Sequence, residues 1–171
     1  IRYQNCFIRV DVLEKKSDRL VIHEVKAKSF NSNEERPFLT QRGEPSSKWR
    51  SYLYDVAFQK YVVSRAFPNA SVTANLMLAD KAARATIDGL HQCFQVVSEG
   101  SRRSAKQVAA VPDSALQAGL LMSVPVDHEC DVIYQSQEHG PHFKGSFSAL
   151  VDGLSDVCAG KALPIFSLHK G

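Results

Sequence analysis

The chain has 171 residues, 44% of them hydrophobic and 23% charged, with 21 basic and 18 acidic side chains and a net charge of +3. That balance fits a soluble globular domain and excludes the strongly basic footprint that would by itself argue for nucleic-acid binding. The longest apolar run, Leu116 to Val126, is broken by Ser123 and Pro125, well short of the roughly 18 residues that span a bilayer. No membrane segment or signal peptide is expected.

The four cysteines, Cys6, Cys93, Cys130 and Cys158, are scattered, with no C-x-x-C pair. They are expected to be reduced, mostly buried thiols of a cytoplasmic protein, and they form no closed zinc or iron–sulfur ligand set. Residues 1–171 are expected to form a single domain, one piece of a longer protein, because the chain opens at Ile1 directly on a strand.

Two short strands come first. One is Cys6-Phe7-Ile8-Arg9-Val10-Asp11-Val12-Leu13 and the other Arg19-Leu20-Val21-Ile22-His23-Glu24-Val25-Lys26. The polar residues Glu14 to Asp18 fit a hairpin loop between them. A long polar loop follows from Lys28 to Arg50, with Ser46 or Ser47 placed to cap the next helix. Apolar residues at helical spacing, including Leu53, Val56, Ala57 and Val63, predict that helix over Lys48–Ala66. Asp55 and Gln59 share one of its faces.

Alternation predicts a buried strand from Ser71 to Leu78. Thr86 to Val97 is mixed, with strand character at both ends. Ser98 to Gln107 reads as a polar, basic loop. Pro112-Asp113-Ser114 opens a helix to about Met122. Cys130 to Gln135 reads as a short strand, and His139-Gly140-Pro141-His142 as a turn. The last helix is predicted over Ser146–Ala159, with Phe147, Leu150, Leu154 and Val157 on one face and Gly160 as its stop. An antiparallel hairpin and a strand reached through a helical crossover imply an α/β fold with a mixed sheet.

The first two strands carry the chemistry. Side chains alternate along a strand, so Glu24 and Lys26 share a face. Neighbouring strands lie about 5 Å apart, which lets Asp11 sit beside Glu24. Two carboxylates and an ammonium on one sheet face suit a divalent-metal hydrolytic site. The competing reading is structural: charges protect edge strands, and Arg9 is the available ion partner for Asp11. Arg102, Arg103 and Lys106 are candidates to track a phosphate backbone, and Lys28 to reach a phosphate. Glu138, His139 and His142 suggest a metal cluster, but the Gly-Pro between the histidines favours a plain turn.

The order of strand with Asp11, hairpin, strand with Glu24-Val25-Lys26, then helix with Gln59 resembles the PD-(D/E)XK nuclease superfamily. It is most similar to the RecB-like branch that includes CRISPR-associated exonucleases. The segments Ile8 to Leu13, His23 to Ser29 and Asp55 to Val62 resemble a bacterial family of unknown function within that branch. The likeness covers roughly residues 1–80 and continues weakly to the last helix.

The resemblance implies a restriction-endonuclease-like fold, a mixed central sheet flanked by helices. It implies Mg²⁺ or Mn²⁺ held by Asp11, Glu24 and the backbone carbonyl of Val25. Lys26 would assist the attacking water, and Gln59 would position the site. The expected activity is hydrolysis of DNA phosphodiester bonds, exonuclease-like, within a larger repair or defence complex. Where the branch has a tyrosine four residues after the glutamine, this chain has Val63. An iron–sulfur cluster would need cysteines from outside this chain. The alternative is a catalytically inactive module of the same fold that binds nucleic acid or a protein partner.

Overall fold

The computed structural model describes residues 1–116, 119–140 and 143–161. They fall into two compact units. The first comprises the described residues of Ile1–Val25, of Phe38–Leu76 and from Val124 on, and the second those of Lys26–Pro37 and Met77–Ser123.

In the first unit a small ribbon of β1 (Arg2–Tyr3) and β2 (Cys6–Phe7) precedes β3 (Val12–Lys16). The strand expected over Cys6–Leu13 is therefore split, and Asp11 lies at a bend just before β3. β3 pairs antiparallel with β4 (Arg19–Phe30), in register from Val12↔His23 to Lys16↔Arg19. The hairpin loop shrinks from five residues to Ser17 and Asp18, with Ser17 in the left-handed region at φ 54°. Glu14, Lys15 and Lys16 belong to the strand. β3 is an edge strand open to water along most of its length, so its polarity does not mark a loop.

α1 (Arg50–Ala66) buries Leu53, Val56, Ala57, Val62 and Val63, the apolar stripe that its spacing requires, and Gln59 beside them. Neither serine caps it with a side chain. Trp49 is the N-cap residue and makes no side-chain cap bond, while the Ser46 carbonyl accepts from the Trp49 and Arg50 amides at 2.9 and 2.8 Å. Packing sets the start instead: Trp49 is 1% exposed and stands edge-on to buried Phe38, with ring centroids 5.1 Å apart.

β5 (Ser71–Asp80) buries Ala74, Leu76, Leu78 and Asp80 in strict alternation. In the first unit Ser71 N donates to Asp18 O at 2.9 Å and Asn75 Nδ2 to Ile22 O at 3.4 Å. The constant offset makes β5 parallel to β4, as a helical crossover requires.

In the second unit a 3-10 turn (Leu90–Cys93) leads into β6 (Phe94–Glu99), which pairs antiparallel with β7 (Arg102–Gln107). The expected loop over Ser98–Gln107 is thus the second half of a hairpin, and the strand expected near Thr86 is absent. Gly100, at φ 61°, makes the turn. Most side chains of this ribbon are exposed, so it has no buried face and no period-2 signal in the sequence. Asp80 accepts from the Ser32 and Ala82 amides at 3.2 and 3.0 Å. Hydrogen bonding from Ser32, and then from Ala82, holds its carboxyl below the usual carboxylate range.

Of the helix expected from Pro112 to Met122, the described residues show α2 (Asp113–Leu116), whereas Leu121 and Met122 open β8 (Leu121–Pro125). The sheet order is β3-β4-β5-β8. Cys130–Gln135 is not a strand but the end of α3 (Asp127–Gln135). The run Val132-Ile133-Tyr134 has β propensity. Burial of Val126, Cys130 and Ile133 at helical spacing overrides it. α4 (Phe147–Cys158) is capped by Ser146, whose hydroxyl accepts from the Ala149 amide, and Gly160 follows its end at φ 71°. Its buried residues are Phe147 and Val151, and Leu154 is 57% exposed. Among the described residues the class is α/β, a mixed sheet flanked by helices.

Polar and aromatic contacts fix α3 and α4 on α1. Lys60 Nζ meets Asp127 Oδ1 at 2.6 Å, the same oxygen accepts from the Ala74 amide at 3.0 Å, and Tyr134 OH donates to Ala57 O at 2.7 Å. Burial pushes the Tyr134 hydroxyl up and the Cys130 thiol to about 12. Phe147 meets Tyr54, Tyr61 and Tyr134 with centroids 6.3, 5.8 and 5.2 Å away. Phe147→Ala is expected to lower stability by about 3–5 kcal/mol. Urea unfolding checks this, and a loss below about 1 kcal/mol would show that α4 is not anchored through this ring.

Candidate metal and nuclease site

Within the first unit the elements bring Asp11, Glu24, Val25, Asp55 and Gln59 together. Continuing the β3–β4 register by one residue sets Asp11 opposite Glu24. The strand has ended there, and Asp11 Oδ2 takes the next ladder position by accepting from the Val25 amide at 3.0 Å. Asp11 is exposed, whereas Glu24 is only 5% exposed. Arg9 is not the ion partner of Asp11. It lines a shallow cavity of about 210 Å³ with Ile8, Asp55, Phe58 and Gln59.

Gln59 links the helix to the strand. Its Nε2 donates to Glu24 Oε2 at 2.7 Å and to Asp55 Oδ1 at 3.3 Å. Gln59 is itself 5% exposed, and its Oε1 is a buried acceptor with no hydrogen-bond partner among the described residues. One amide thus holds two carboxylates while leaving an oxygen unsatisfied. Asp55 joins this cluster through Gln59; in the sequence it was marked by the four-residue spacing to Gln59 and by its place at the head of the Asp55–Val62 segment.

The remaining candidates stand elsewhere on the chain. β4 carries Lys26 and Lys28 beyond Glu24. Both are half-buried, and burial alternates from Ile22 to Phe30, which puts them on the Glu24 face of that strand. Lys26 and Lys28 fall within the second unit, and Arg102, Arg103 and Lys106 lie on β7 in a separate sheet. β4 lies between β3 and β5 in the sheet order, so edge protection does not explain Glu24. His23 stands on the opposite face, its Nε2 3.6 Å from Glu14 Oε2.

The oxygen-rich set suits a hard cation. Among the described residues no group of three His, Cys, Asp or Glu side chains could hold a metal ion. Mg²⁺ needs only one or two carboxylates and keeps several of its waters. The donors present, two carboxylates and the Val25 carbonyl, therefore fit it, and the unpartnered Gln59 Oε1 is an acceptor that a bound water would satisfy. Of the four cysteines Cys6 and Cys130 are buried, Cys93 is half-buried and Cys158 exposed, all as free thiols. No helix among the described residues is long and apolar enough to cross a membrane.

The turn after α3 holds no metal cluster among the described residues. Glu138 pairs with Lys144 at 3.0 Å, and His139 Nδ1 lies 2.9 Å from Tyr54 OH. His142 lies outside the described residues. Compared with protein-family models, curated proteins and solved structures, the chain matches none.

Burial, with the Arg50 charge acting the same way, holds the His139 imidazole below its usual pKa. Its Nε2 is buried with no partner among the described residues. A depressed imidazole contributes stability above its unfolded pKa of about 6.5, and that contribution is lost as pH falls through the folded value. Stability should therefore drop as pH is lowered from about 7 to 5. In His139→Phe this part of the drop should vanish. Urea midpoints across that range check it, and parallel curves for the two proteins would contradict it.

Proposed function

We propose that this chain is a metal-dependent deoxyribonuclease domain of the RecB-like class, with a restriction-endonuclease-like sheet. The observation that carries the reading is the Asp11–Val25 bond, which seats one carboxylate against the peptide that follows the second, Glu24. Asp11, Glu24 and the Val25 carbonyl are hard oxygen donors that suit Mg²⁺ or Mn²⁺. When bound, the metal would supply a water of lowered pKa and polarise the scissile phosphate. Gln59 holds Glu24 in place from the helix side. Lys26 offers a positive charge against the negative charge that builds up on the phosphate. DNA is the proposed partner, with Lys28, Arg102, Arg103 and Lys106 as phosphate contacts. A cytoplasmic location and a place in a repair or defence complex belong to the same proposal.

A second reading has its own observation. The Asp11 carboxylate extends the ladder by accepting from the Val25 amide, a structural duty that would keep it in an inactive fold, and Val63 stands where the branch has tyrosine. A non-catalytic module would bind DNA in a salt-dependent way but without regard to Mg²⁺.

Calorimetric titration of Mn²⁺ separates the two. Asp11→Asn keeps an oxygen for the Val25 amide and removes the charge, so stability should change by less than about 0.5 kcal/mol. Wild type should bind Mn²⁺ and Asp11→Asn should not. Equal binding by both proteins, or by neither, overturns the metal-site reading. Lys26→Ala should lower DNA cleavage by about 100-fold or more with Mn²⁺ binding retained, and unchanged cleavage would remove Lys26 from the mechanism.

A further inference from the structure

A second cavity, of about 590 Å³, opens in the first unit beside the start of α1. That volume suits a small organic ligand. Two arginines reach it from separate segments. Arg42 stands in a closed turn, where Gly43 N donates to Thr40 O at 2.9 Å and Thr40 N to Glu44 O at 2.8 Å. Arg50 is the first residue of α1, and its guanidinium lies 5.8 Å from the centre of the Tyr54 ring. Neither arginine makes an ion pair among the described residues.

The acids at the rim do not neutralise them. Glu138 is engaged by Lys144 at 3.0 Å, and Glu44 offers one negative charge against two positive ones. Pro45, Val132 and Ile133 give the cavity an apolar wall. The helix start also breaks a local rule. Lys48 and Arg50 sit at its positive end, with no acid in the first turn and no side-chain cap. Cations there are unfavourable, and an incoming anion would relieve them. The cavity and its two arginines carry the argument, and the helix end adds to it.

We infer that this cavity binds a phosphate monoester joined to an apolar or aromatic body, the chemistry of a nucleotide. A phosphate monoester carries about −1.5 to −2 charges at neutral pH, which matches two guanidinium groups, whereas a lone carboxylate leaves one uncompensated. Arginine forks bind such oxygens in bidentate fashion. The Tyr54 ring and the apolar wall would take the sugar and base. A free mononucleotide and the phosphorylated end of a DNA strand both present this chemistry. The inference stands apart from the metal-site reading.

The test uses the whole chain in the presence of a chelator. AMP and adenosine, and a 5′-phosphorylated and a 5′-hydroxyl oligonucleotide of one sequence, are titrated against wild type, Arg42→Gln, Arg50→Gln and Asp11→Asn. Phosphorylated probes should bind, and each arginine substitution should weaken them by about tenfold, while Asp11→Asn binds as wild type does. Comparable binding of AMP and the phosphorylated strand identifies a mononucleotide site, and binding of the strand alone identifies a strand-end site. Indifference to the phosphate, no binding by any probe, or arginine variants that bind like wild type would overturn the inference. Circular dichroism confirms that each variant is folded. Because no metal is present, these outcomes do not depend on whether Mn²⁺ binds at Asp11 and Glu24.

Discussion

The first unit turns on one short hydrogen bond, from Gln59 Nε2 to Glu24 Oε2 at 2.7 Å. A carboxylate is stable in a nearly closed environment only when hydrogen-bonded partners compensate for the lost water. Here the partner comes from the helix that covers the strand, so burying Glu24 and docking α1 are coupled. The same helix carries Lys60 to Asp127, Tyr54 to His139 and the Ala57 carbonyl to Tyr134. α1 is therefore a pillar whose polar contacts fix its rotation and its height along the sheet. Apolar burial supplies the drive, but a greasy stripe alone tolerates sliding.

Legibility followed burial. α1 and β5 were read nearly to their ends, because each buries one face against the rest of the unit and so shows a clean period of 3.6 or 2. The strand character expected at the Val97 end of Thr86–Val97 is β6, but its partner β7 was invisible for the opposite reason. With nearly all its side chains in water, nothing in its composition distinguishes Arg103-Ser104-Ala105-Lys106 on a strand from the same residues in a loop. α3 was misread because three residues of strand-forming character fall in its last turn, where burial and not propensity decides. At the site, Glu24 and Gln59 were legible as members of a pattern. The bond between them was not, since it depends on how the helix is rotated on the sheet. Asp55 was visible as a spacing to Gln59 and as the head of a segment, with no role attached.

The two arginines of the larger cavity show a different limit. A sequence gives each cation a prior of lying on a solvated surface, and both arginines are exposed; what the sequence does not show is that they line one cavity. The relation of Arg42 to Arg50 arises from folding a closed turn back against the start of α1. Like charges lining one cavity, with no ion pair among the described residues, repel, so the arrangement persists only if other contacts hold it. The hydrogen bonds of the Thr40–Glu44 turn and the Tyr54 ring under Arg50 are such contacts.

Asp11 concentrates the question of whether this fold is catalytic. Where β3 gives out, the Val25 amide of β4 would lack a ladder partner, and the Asp11 carboxylate supplies one. Serine, asparagine or a backbone carbonyl would do that work without placing a negative charge near buried Glu24. An aspartate at this position therefore adds a second acid at the register position opposite Glu24. One oxygen, Oδ2, is committed to the amide, and Oδ1 accepts no hydrogen bond among the described residues. A carboxylate with one oxygen fixed and the other open is oriented before any ligand arrives, and that preorganisation is what an oxygen-ligand metal site requires of its scaffold.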